Sequence, residues 1–404
     1  MLKRDGTVWA TGGNMFGQLG IDPEIETMKA NFVEVFSGGA KAVAAGGGHS
    51  MVLKQDGSVW SSGRNMFGQI GDGSNANTQG FVQVVASHAK AVAAGEEHSL
   101  VVMRDGSVSA TGLNLHGQLG DGSTTDRSRF ARVISGGAQA VATGKEHSIV
   151  LMQDGSVWTT GENEHGQLGG GAPYHRSSFA QVMTSGAKAV AAGGYHSMVL
   201  KQDGSVWVAG ENKHGQLGDG SVKLKYGFVK VMLRGAEAIT AGQDHSIVLK
   251  QGGSVWATGN NNFGQLGDAS RILKSTFVRV ISGGVQVVSA GNWHSMVLKR
   301  DGSVWATGAN GYGQLGDMST NDKNTFERVI LHGKTWACMM CVTNFVQELC
   351  YLGQIFVRPD CYLRVVCMLS SSAELCQSSY AQRLDLSCPL TQLISRVYSV
   401  LVHA

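Results

Sequence analysis

The chain has 404 residues, 57 of them glycine and only 4 proline, with a formal net charge of +3 at pH 7. Glycine at about twice its usual share of roughly 7%, without a proline excess, excludes collagen and Pro-rich linkers and assigns the glycines to turns. A charge this small for the length demands neither a nucleic-acid partner nor an anionic membrane surface. No apolar run reaches the roughly 18 residues a membrane helix needs.

In chain order, the first segment is Met1-Leu2-Lys3, which aligns with Val297-Leu298-Lys299 inside a later repeat. That start leaves no room for a signal or transit peptide, so a soluble protein of the cytoplasm or nucleus, not a secreted one, is expected. A Gly-Gln-(Leu/Ile)-Gly element follows at Gln18 and returns at Gln69, Gln118, Gln167, Gln216, Gln265 and Gln314. A His-Ser pair stands at His49, His98, His147, His196, His245 and His294, each 49 residues after the last. A period this regular means stacked supersecondary units.

Each unit reads as four short strands. In one copy these are Phe179 to Met183, an Ala-rich strand Ala187 to Ala192, the apolar His196 to Lys201, and Ser205 to Ala209. The phenylalanine recurs at Phe32, Phe81, Phe130, Phe228, Phe277 and Phe326. Small side chains suit a strand crowded near an axis, so the Ala-rich strand is placed innermost. Asp203-Gly204 supplies the positive φ of a tight hairpin, and Gly252-Gly253 serves where Asp is absent. Trp9, Trp60, Trp158, Trp207, Trp256 and Trp305 share one position, with Ser109 once in their place, and are expected to pack between units. Short strands with polar turns, repeated seven times, predict an all-β, seven-bladed β-propeller of four-stranded antiparallel blades. A solenoid is less suited, because a four-stranded unit is broad for a coil.

Residues 301–308, Asp-Gly-Ser-Val-Trp-Ala-Thr-Gly, 117–123, Gly-Gln-Leu-Gly-Asp-Gly-Ser, and 91–99, Ala-Val-Ala-Ala-Gly-Glu-Glu-His-Ser, together carry a family likeness. This pattern resembles the repeat of the regulator of chromosome condensation family, which implies a seven-bladed propeller and, from the founding members, guanine-nucleotide exchange on a small GTPase. The resemblance covers residues 1–333. It stops before a seventh His-Ser, where Thr343 stands, so ring closure has to marry the two chain ends and is incomplete if residues 334–345 do not supply closing strands. The tail, 334–404, is read as irregular, with a weak helical stretch from Ala373 to Leu386. It holds all seven cysteines: Cys338, Cys341, Cys350, Cys361, Cys367, Cys376 and Cys388. No second Cys-x-x-Cys or His pair follows Cys338-x-x-Cys341, so neither metal nor cofactor is expected.

The six histidines do not read as catalytic, because a catalytic group is needed once and has no reason to recur in every unit. A hydrogen bond that stabilises the turn is the expectation, and no enzyme is predicted. The copies differ in the turns before each histidine and in the long loops, which strand alternation places on one face. Turn positions there include Glu96, Glu97, Lys145, Glu146, Tyr195, Asp244 and Trp293, with the acids grouped about one channel mouth. The loops contribute Arg127, Arg129, Arg176, Lys223, Lys225, Arg271 and Lys274, a basic rim. A constant frame presenting variable loops is how scaffolds carry binding sites. The expectation is therefore a monomeric, non-enzymatic scaffold that grips a protein partner. Guanine-nucleotide exchange on a small GTPase is the alternative, although five uninterrupted 49-residue intervals leave no inserted wedge and no basic arm precedes the repeats. A light sensor like the plant ultraviolet-B photoreceptor would need clustered tryptophans on the loop face, where only Trp293 lies.

Overall fold

Each repeat supplies a strand of small residues and a strand apolar on both sides, and a strand buried on both faces must be sandwiched between neighbouring sheets. The structure, a computed structural model, describes residues 1–329. Its first strands are β1 (Val8–Gly13), β2 (Met28–Phe36), β3 (Ala40–Ala45), β4 (His49–Lys54), β5 (Val59–Gly63) and β6 (Thr78–Val85). The last four form one antiparallel sheet in the order β3-β4-β5-β6, and the same sheet recurs over 89–134, 138–183, 187–232, 236–281 and 285–328.

These are six four-stranded blades among the described residues, which corrects the expected seven. Beside them, among the described residues, β1 and β2 form a two-stranded sheet. Ahead of them, Met1 to Lys3 contribute a single bridge, Leu2 to Val8, and no separate strand. The proposed closing strands at 334–345, Thr343, the boundary at 333/334, the cysteines and the stretch Ala373 to Leu386 all lie outside the described residues.

The phase of the unit also differs from the sequence reading. The strand holding Phe179, Arg176–Met183, pairs with Val157–Gly161 and so is the outer strand of the blade before, not the first of a new one. A long loop that folds back on the strand it leaves makes an antiparallel neighbour without crossing to another sheet. Bridges then tie the loop of each blade to the outer strand of the next, as Asp72 to Arg129 and Asp121 to Ser178. Asp317 to Asn31 carries this pattern from the last blade to β2.

Successive blades bury each other. Met51 and Leu53 of β4 pack on Ala89 and Val101 of the next blade, while Val52 on the opposite face packs with Val8 of β1. The Ala-rich strands lie innermost, each beside the next from β3 to Val285–Ala290. Trp158 and Trp207 pack against the core of the preceding blade, half-buried. Each indole N–H donates to the serine two residues earlier, as Trp207 to Ser205 Oγ at 3.1 Å. Lys201 Nζ caps the Trp207 ring at 4.8 Å from its centroid.

The histidine makes its bond across the blade junction instead of within its turn. His147 Nε2 lies 3.0 Å from Ser197 Oγ of the next blade, and Ser197 Oγ donates to Gln167 O at 2.6 Å. The same relay runs from His49 to Ser99, His98 to Ser148, His196 to Ser246 and His245 to Ser295. Because each serine proton goes to a carbonyl, the imidazole must donate from Nε2, leaving Nδ1 of these five rings without a partner. The glycine three residues before the histidine permits this packing: a Cβ on Gly95 would lie 2.6 Å from His98 Cε1 and 2.7 Å from Gly144 O of the next blade.

Candidate interaction face

The turn between the first and second strands of a blade and the long loop between its third and outer strands emerge on the same face. The recurring asparagine holds the loop. Asn65 Oδ1 accepts from Ile70 N at 2.9 Å, and its Nδ2 donates to Ser74 O at 3.1 Å and Ala76 O at 3.0 Å. The constant frame is thus engaged with itself.

The sequence grouped all the turn acids at one mouth, whereas the structure divides them. The first turn position lines the channel mouth, where Gly47, Glu96, Lys145, Gly194 and Gln243 lie. Their backbones form a circumferential chain, with Gly47 N donating to Gly95 O at 3.0 Å and Lys145 N to Gly194 O at 3.1 Å. The second position leans into the junction with the preceding blade. There Glu97 meets Arg64 and Gln69 in an ion pair and a hydrogen bond. Glu146 lies 3.2 Å from His116 Nε2. Tyr195 sits against His165, ring centroids 4.9 Å apart, with Lys145 Nζ 5.4 Å from the Tyr195 centroid. Asp244 is buried near His214 and Lys213, and Trp293 packs on Phe263 at 5.8 Å.

The strand-end residue before the loop asparagine belongs to the same junctions and was not singled out from the sequence. It is Arg64, Leu113, Glu162, Glu211, Asn260 and Ala309 in successive blades, a variation as open as that of the turns. Burial pushes Glu97, Glu162 and Asp244 above the usual carboxylate range; on Glu97 the Arg64 charge pulls the other way.

The rim is less basic than its composition. Arg127 pairs with Asp121 at 2.6 Å, Lys225 with Asp219 at 3.0 Å, Lys274 with Asp268 at 3.2 Å, and Arg271 with Asp322 at 3.8 Å. Burial raises Asp121, but hydrogen bonds from Ser123 and Arg127 outweigh it and hold the carboxyl below its ordinary value. The Arg129 backbone forms a blade-to-loop bridge, and one Arg176 nitrogen, Nη1, is buried without a partner. Lys223 stays exposed, its carbonyl accepting from Asn212 Nδ2 at 3.1 Å. Among the described residues no group of histidines, cysteines and carboxylates is arranged to hold a metal ion, and no helix is long and apolar enough to cross a membrane.

The sequence profiles of the Regulator of chromosome condensation (RCC1) repeat match the chain in successive segments. One matches 40–69, 89–118, 138–167, 187–216, 237–265 and 285–314; a second matches 5–53, 56–102, 154–200 and 252–298. A search of curated protein sequences finds no match. Among solved structures, human WBSCR16 is 20% identical with a TM-score of 0.73, over 82% of this chain and 95% of that one. Yeast RCC1 (Prp20) bound to Kap60 is 19% identical, TM-score 0.72, over 81% and 85%. Prp20p from Saccharomyces cerevisiae, described with its binding properties to Gsp1p and histones, is 20% identical, TM-score 0.70, over 81% and 87%. At these identities the likeness is one of fold.

Proposed function

The chain belongs to the regulator of chromosome condensation repeat family, and on that premise we propose that it is a non-enzymatic scaffold gripping a protein partner with its loop face. One observation carries this reading. The recurring His, Ser, Gln and Asn side chains bond to one another and to the backbone in blade after blade, while turn and strand-end positions on the same face differ in charge and aromaticity. A constant frame that varies in the turns and strand ends of one face is suited to recognition. In this reading the protein acts as a monomer in the cytoplasm or nucleus.

Exchange activity on a small GTPase is the second reading, favoured by the binding of Gsp1p described for Prp20p. Such an activity would be binding energy applied to the nucleotide-free state of the partner and needs no catalytic group on this chain. Photo-crosslinkers placed at Lys145 and Trp293 on the loop face, and at Gln202 on the hairpin face, test the first reading. Partner adducts from the loop face alone are expected, and adducts from Gln202 alone would refute it. Release of labelled guanine nucleotide from small GTPases, accelerated by the full chain, would select the second reading.

A further inference from the structure

The junctions on the loop face are copies of one socket. By repeat position each brings together the strand-end residue of one blade, the second turn residue of the next and the repeat glutamine. In the junction at Glu97 the socket is occupied from within. Glu97 is 8% exposed, and its two carboxylate oxygens are taken by Arg64 Nη1 and Gln69 Nε2. The Arg64 guanidinium carbon also lies 5.4 Å from the Phe16 ring centroid. A buried carboxylate and an aromatic ring therefore already hold one arginine on this face.

Two blades on, the same socket holds acids without that counterion. Glu162 stands where Arg64 stood and is 4% exposed; its Oε1 accepts from Glu164 N at 2.8 Å, and its Oε2 is buried with no donor. Gln167 Nε2, the equivalent of the amide that serves Glu97, is buried and unpartnered as well. Tyr195 and His165 supply the aromatic wall, their planes inclined at 54°. The charges nearest Glu162 are His165, which attracts it when protonated, and Glu146 and Glu164, which repel it, while Lys145 Nζ lies 5.4 Å from the Tyr195 centroid on the far wall. In the adjoining junction Glu211 and Asp244 are 6% and 8% exposed; Lys213, largely exposed, lies 2.8 Å from Glu211, Gln216 Nε2 donates to Glu211 at 3.4 Å, and His214, Lys213 and Lys145 attract Asp244. Carboxylates withdrawn from water without a cation are costly, and an arriving cation recovers that cost.

We infer that the Glu162–Tyr195 socket receives the guanidinium of an arginine side chain presented by a protein partner. A planar cation can pair with the carboxylate edge-on while lying against the ring, a match an ammonium does not offer. This rests on the scaffold reading above and names the chemistry that the face recognises.

The test uses the full chain and N-acetylarginine amide, with the neutral N-acetylcitrulline amide as control, followed by NMR of the Glu162 and Tyr195 side chains. Saturable shifts with the arginine probe alone, a midpoint at least tenfold weaker in Glu162→Gln, and no response at Glu97 are expected. In Arg64→Ala, with the Glu97 socket emptied, an arginine-dependent response should arise at Glu97. Equal shifts with citrulline, an unchanged midpoint in Glu162→Gln, or equal binding of N-acetyllysine amide would overturn the assignment. A partner that crosslinks to the loop face while the arginine probe fails to bind would sink the socket and leave the scaffold reading standing.

Discussion

Replacing Ser197 by alanine removes one oxygen from a site with no access to water. That oxygen accepts from His147 Nε2 at 3.0 Å and donates to Gln167 O at 2.6 Å, so the change leaves a buried ring N–H and a buried carbonyl unsatisfied. Each costs on the order of 1–3 kcal/mol. A tautomer swap gives no relief, because His147 Nδ1 has no partner either. Protonation is opposed by burial, chiefly, and by the neighbouring His98 and His196, which together push His147 down to about 3. The expected loss is therefore about 2–6 kcal/mol, read as a lower urea midpoint at unchanged slope. Ser148→Ala and Ser246→Ala should lose a similar amount, since their relays have the same form. A loss below about 0.5 kcal/mol at all three would refute the relay as a source of blade cohesion.

Three further outcomes follow from the same geometry. Burial depresses His49 and His196 to about 4 and His98, His147 and His245 to about 3, against about 6.5 when unfolded. The stability of the neutral rings is present above pH 6.5 and is lost as pH falls toward 4, at up to about 1.4 kcal/mol per pH unit for each ring; urea midpoints that stay flat between pH 6.5 and 5 would contradict this. Trp207→Ala should cost about 2–4 kcal/mol, less than a fully buried tryptophan because its ring is half-buried beneath Lys201; a loss under about 1 kcal/mol in denaturant melts would place the ring outside the blade contact. Arg64→Leu should destabilise more than Arg132→Leu, because it strands the buried Glu97 carboxylate while Arg132 pairs with the exposed Asp105; equal thermal shifts would deny the Glu97 pair its burial.

The frame was legible because its signals are local or periodic. Asp203-Gly204 marks a hairpin by itself: Gly204 takes φ of +75° and Asp203 Oδ1 accepts from Ser205 N at 2.9 Å. Ala187 to Ala192 announces an inner strand by size alone. Contacts across junctions were not legible, since His147 and Ser197 are 50 residues apart and each looks satisfied within its own turn. The count of blades failed for a related reason: repeated motifs number the units, while sheet pairing decides how many strands each unit completes, and among the described residues β1 and β2 form a sheet of two strands. The basic rim was overestimated because composition does not reveal that Asp121 and Asp219 already neutralise Arg127 and Lys225. Glu162 and Glu211 could have been found by the comparison of copies that exposed the turns, had it extended to the residue before each loop asparagine.

The claim that recognition belongs to the loop face is tested most directly by reversing charge on one face at a time. Glu96→Lys with Glu146→Lys changes the loop face and spares the buried Glu97 pair; Arg104→Glu with Arg300→Glu makes a change of equal size among exposed residues of the hairpin face. The measurement is the association rate of a crosslinked partner with each double variant across ionic strength. A slowed rate and an altered salt dependence are expected for the loop-face variant alone. Loss confined to the Arg104 and Arg300 variant, or equal loss from both faces, would contradict the claim.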